Sequence, residues 1–81
     1  MWIRSQDKSI LVDSILFETL VNRNQENIIS GFVSEFNGNI PLGTYSTKEK
    51  SLKVLDMIQS FINNELIRDY MVFQMPLDES L

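Results

Sequence analysis

Residues 40–66, IPLGTYSTKEKSLKVLDMIQSFINNEL, contain the change of period on which the fold turns. From Ile40 to Tyr45 the chain reads as a strand. Pro41 removes one ladder donor there, so the strand belongs at a sheet edge or begins beyond the proline. Ser46-Thr47-Lys48-Glu49 then reads as a capping box, in which the Ser46 hydroxyl accepts from the Glu49 N–H and Glu49 reaches back. Leu52, Val54, Leu55, Ile58, Ile62 and Leu66 follow at three- and four-residue spacing with no Gly or Pro between them. That spacing predicts a helix over 47–66.

Upstream of this stretch the period is two. Ile28, Ser30, Phe32, Ser34 and Phe36 alternate with Ile29, Gly31, Val33 and Glu35, and Asn37-Gly38 predicts a type I′ turn into the strand at Ile40–Tyr45. Ile10 to Val21 is rich in strand formers, with Ile15, Phe17, Thr19 and Val21 on one face and Leu16, Glu18 and Leu20 on the other. Asp13 and Ser14 divide that run into two shorter strands or mark a bulge. Asn22–Asn27 is a polar loop, Trp2–Ser5 a strand, and Gln6-Asp7-Lys8 a turn. Downstream, Tyr70–Met75 reads as a last strand ended by Pro76, and Leu77–Leu81 as a frayed acidic tail. The expected architecture is α+β in one small domain, 1–81. An antiparallel meander of four or five strands within 2–45 has one long helix on one face, and a short C-terminal strand at 70–75 returns to the sheet.

Composition narrows the chemistry. The chain has 81 residues, 43% of them hydrophobic and 22% charged, with neither Cys nor His. That removes thiolates, disulfides, and the commonest metal ligand and general base. No catalytic, metal or cofactor site is expected, and no small-molecule ligand. The longest uninterrupted apolar runs, Ile10-Leu11-Val12 and Ile15-Leu16-Phe17, are too short for a signal h-region or a membrane span, so a cytoplasmic location is the expectation. Gly38 to Tyr45 superficially matches the start of a phosphate-binding loop. Thr44-Tyr45 stands where Lys-Ser/Thr is needed, and the match is rejected.

The net charge of −4 opposes nucleic-acid binding. The basic residues are nonetheless segregated: residues 1–8 sum to +1 and 48–53 to +2, against −3 for 9–47 and −4 for 54–81. Trp2, Arg4 and Lys8, together with Lys48, Lys50 and Lys53, therefore form the alternative reading, a weak nucleic-acid-binding accessory protein. The lysines also read as a contact patch for an acidic group, or as a solvated face with a Glu49–Lys53 pair.

Apolar surplus favours a protein partner. Met57 and Phe61 widen the helix stripe beyond the arc that one sheet face needs, and both faces of Ile10–Val21 and Ile28–Phe36 contain apolar residues. One helix covers one face. A homodimer or a protein partner is expected through the uncovered face or a free sheet edge, with Met57, Phe61, Trp2 and Arg4 as candidate contact residues.

Three blocks of the chain resemble a known group. The opening Met1-Trp2-Ile3-Arg4-Ser5-Gln6-Asp7-Lys8, the positions Leu42, Gly43, Tyr45, Thr47, Glu49, Val54, Leu55, Asp56 and Ile58, and the close Val72-Phe73-Gln74-Met75-Pro76 are similar to small proteins of Gram-positive bacteria and their phages. Ser51 stands where that pattern has Ala, and Lys48 and Lys53 where acidic residues are common. No activity attaches to the group. The resemblance implies a prophage or mobile-element origin and a cytoplasmic location.

Overall fold

The computed structural model describes residues 1–64 and 71–81. Among these residues six strands, β1 (Trp2–Arg4), β2 (Leu11–Asp13), β3 (Leu16–Val21), β4 (Asn27–Val33), β5 (Gly38–Tyr45) and β6 (Val72–Gln74), accompany one α-helix, α1 (Lys48–Ile62). The class is α+β, as the pattern predicts. The strands divide between two three-stranded sheets where a single meander is expected. Sheet A has the order β2-β1-β6, with β1 antiparallel to β2 and parallel to β6. Sheet B is the antiparallel meander β3-β4-β5.

Ser14 is where the chain leaves one sheet for the other, so the break foreseen at Asp13-Ser14 is real. The side chain is almost wholly buried, and its hydroxyl lies 3.0 Å from both Leu16 O and Phe32 O. Gly31 makes that approach possible: a Cβ there would stand 2.6 Å from Ser14 Oγ and 2.8 Å from Leu42 Cδ1.

Four local expectations are corrected. The β4–β5 reversal is a single 3-10 turn over Ser34–Phe36, closed by Asn37 N–H to Ser34 O at 3.1 Å. Asn37 alone enters the left-handed region (φ 47°, ψ 45°), while Gly38 already pairs with Val33, so a type I′ turn does not form. The helix cap is Thr47, whose Oγ1 accepts from Lys50 N–H at 3.1 Å, one residue later than the Ser46 cap expected. The helix ends at Ile62, where Asn63 and Asn64, both poor interior residues, follow it. Its expected continuation through Leu66, and Tyr70 of the last strand, lie outside the described residues. The tail is ordered: Asp78–Ser80 form a 3-10 turn and Leu81 packs against the core.

Pro41 does sit on an edge strand, next to a bulge at Leu42, where the β4–β5 register shifts between Ile29 and Ser30. The core joins Ile3, Val12 and Phe73 of sheet A, Ile29, Val33, Leu42 and Tyr45 of sheet B, and Val54 and Ile58 of α1. Alternation therefore puts Phe17, Ile29 and Val33 on the helix-facing side of sheet B. Leu16, Leu20, Ile28 and Phe32 fall on the other.

Candidate interaction surfaces

The open side of sheet B is an apolar face that the strand pattern builds. Leu16 stands opposite Phe32, and Leu20 opposite Ile28, so two apolar cross-strand pairs line one face. Leu16 is 53% exposed. Phe32 and Ile28 are half-buried yet pack outside the main core, whose half-buried members on β3 and β5 are Phe17 and Ile40. Glu18 is the one charged side chain on this side of β3 and β4, opposite the buried Ser30. Among the described residues no second layer covers this face.

The two free edges of sheet B differ. At β5, Gln6 behaves like a piece of another strand. Its main-chain N–H donates to Leu42 O at 2.7 Å, its Nε2 donates to Thr44 O at 3.1 Å, and its Oε1 accepts from Thr44 N–H at 3.0 Å. Pro41 blocks the same edge. Gln6 is held there by the turn that Asp7 organises. One carboxylate oxygen of Asp7 accepts from Ser9 Oγ (2.7 Å), Ser9 N–H (3.0 Å) and Ser5 Oγ (2.7 Å). These bonds, those from Ser9 foremost, hold its pKa down at about 2. Lys8 takes the left-handed conformation (φ 67°) that closes the turn. At β3, by contrast, no backbone group from Phe17 to Val21 has a partner other than β4 among the described residues.

The expected contact residues fall on opposite sides of sheet A. Trp2, 39% exposed, and Arg4 point away from the core. Trp2 borders a depression of about 210 Å³ that Asp13 and Glu35 also line. The Arg4 guanidinium is occupied with Lys8 O, at 3.1 Å from Nε and 3.0 Å from a terminal nitrogen. Phe61 lies on the inner side, edge-on to Phe73 with ring centroids 5.4 Å apart, and Met57, one turn earlier, is 38% exposed.

Of the three lysines at the start of α1, Lys50 finds an acidic group within the chain. Lys50 Nζ is 3.5 Å from Asp78 Oδ2 and donates to Asp78 O at 3.2 Å, while a Glu49–Lys53 ion pair is not formed. Ser46, displaced from its expected capping role, donates its N–H (2.8 Å) and hydroxyl (3.1 Å) to Asp78 Oδ1. These bonds, with Lys50, hold the Asp78 carboxyl below its ordinary value. Tyr45 OH donates to Pro76 O at 2.9 Å, and burial, helped by the Asp78 charge, raises its pKa to about 12. Asp78 could not be singled out from sequence, because a carboxylate in a polar tail gives no periodic signal. Among the described residues, no helix is long and apolar enough to cross a membrane.

Comparison with protein-family models, curated proteins and solved structures found no match.

Proposed function

We propose that this chain is a non-catalytic interaction module of bacterial or prophage origin that works in the cytoplasm by docking a protein surface. One observation favours it above the rest: the apolar side of sheet B built by Leu16, Leu20, Ile28 and Phe32, over which no further layer lies among the described residues. Soluble monomers rarely leave large contiguous apolar patches without a use for them. The nucleic-acid alternative has less support, because two of its five basic side chains are engaged within the chain. Arg4 is engaged with Lys8 O, Lys50 is engaged with Asp78, and Trp2 shares its depression with Asp13 and Glu35.

The test compares capture of host proteins by the wild type and by a Leu16→Ser/Phe32→Ser double variant, checked for native circular dichroism. A single protein retained at one-to-one stoichiometry by the wild type and lost by the variant supports docking on this face. Equal capture by both moves the contact elsewhere, and repeated failure of the folded wild type to retain any protein removes the reading.

A further inference from the structure

Among the described residues, only one of the four sheet edges is both long and open. The edges of sheet A, β2 and β6, are three residues each. The outer edge of β5 is occupied by Gln6 and interrupted by Pro41. The outer edge of β3 runs for six residues, Leu16–Val21, with no Pro, no Lys and no bulge within it. Natural edge strands are blunted by those devices because unpaired backbone groups recruit another strand.

From this contrast we infer that β3 pairs antiparallel with β3 of a second copy, joining two B sheets into one of six strands. This goes beyond the docking reading and does not depend on it. A two-fold axis normal to the sheet keeps side chains of like parity opposite one another, so the symmetric registers centre on a residue. Centring on Glu18 sets two carboxylates face to face, which is unfavourable. Centring on Thr19 avoids this. It places Thr19 opposite Thr19, Phe17 opposite Val21 and Glu18 opposite Leu20, and it pairs five of the six strand residues, Phe17–Val21. Threonine pairs and aromatic–β-branched pairs are among the favourable cross-strand partners.

The surroundings of the edge fit a second copy. Val21 at the end of β3 is 56% exposed. Lys48 of α1 lines a depression with Thr19, Leu20 and Val21, and Leu52, one turn further on and 43% exposed, shares that flank of the helix. In the Thr19-centred register both helices lie on the same side of the joined sheet, with their Leu52 flanks turned towards each other. A strand about 20 Å long with a helix layer about 10 Å above it presents a modest wall, smaller than the ~800 Å² per partner of a standard interface. The dimer is therefore weak and reversible, with a dissociation constant on the order of tens to hundreds of micromolar.

Sedimentation of the full chain from about 5 to 500 µM tests the association. The expected result is a monomer–dimer equilibrium that Val21→Lys weakens at least tenfold. A strict monomer across the range overturns the inference, whether the edge then serves another protein or none. So does a dimer that Val21→Lys leaves intact. Because the chain has no Cys, single introduced cysteines report the register. Opposite Cα atoms in an antiparallel pair are about 4.5–5.5 Å apart, within disulfide reach. Mild oxidation should link Thr19→Cys and not Glu18→Cys, whose two Cα atoms would be about 8 Å apart. Linkage of the second without the first overturns the proposed register.

Discussion

Gly31 and Asp7 show how much of this fold rests on single positions. Gly31 lets the Ser14 hydroxyl and the Leu42 side chain close over the β3–β4 pair, and an added methyl would sit within 3 Å of both. Neither neighbour gives way freely, since Ser14 is bonded and Leu42 is buried. Gly31→Ala should therefore cost about 1–3 kcal/mol, measured by urea unfolding. At Asp7 the effect is one of pH. Its folded pKa of about 2 lies below the ordinary aspartate value of 3.8. The unfolded chain thus binds more protons than the folded one between those values, and stability rises with pH across that window. Stability should fall as pH is lowered from about 4 towards 2, and Asp7→Asn should flatten that dependence in acid denaturation. Glycine spacing does not reveal the first effect in the sequence, because it depends on which strand lies opposite. The second is local to Ser5-Gln6-Asp7-Lys8-Ser9, where the residue types mark a turn without showing which hydroxyls and N–H groups converge on Asp7.

Elements with a strong period were legible, and those defined by a partner were not. α1 follows from Val54, Leu55 and Ile58 because helix periodicity is local, and its end at Ile62 yields to the poor propensity of Asn63-Asn64. The cap was misplaced by one residue because Ser46 and Thr47 are both good caps. What decides between them is Asp78, which engages Ser46 from 32 residues away. Replacing each in turn separates the roles. Thr47→Ala should lower stability by about 1 kcal/mol through the lost bond to Lys50 N–H. Ser46→Ala should leave helix content unchanged and raise amide exchange over Asp78–Leu81, read by hydrogen–deuterium exchange. The type I′ turn failed for a related reason: β5 pairs Gly38 with Val33, which moves the reversal back onto Ser34–Asn37. The open side of sheet B was legible in outline, since both faces of two strands read as apolar. Which face α1 covers was not, because alternation is silent on which side of a sheet a helix settles.

At the level of the whole molecule, the division into two sheets escaped the sequence because β1 and β6 are short and their pairing is parallel and remote. Sheet A is complete only when residues 2–4 meet residues 72–74, and Gln74 Nε2 seals that meeting by donating to Ser5 O across 69 residues. Everything in sheet B and α1 lies within one continuous stretch, Leu16–Ile62. Long-range closure costs entropy before its contacts repay it, so the local unit should form first and the β1–β6 pairing last. Destabilising changes on the two sides should then divide in stopped-flow chevrons: Ile29→Ala slows folding, whereas Phe73→Ala mainly speeds unfolding. A nascent chain faces the same order in time. β1 is made long before β6, and it takes the middle position of sheet A only once β6 has been synthesised. Throughout that interval Ile3, wholly buried in the finished protein, lacks its neighbour Phe73.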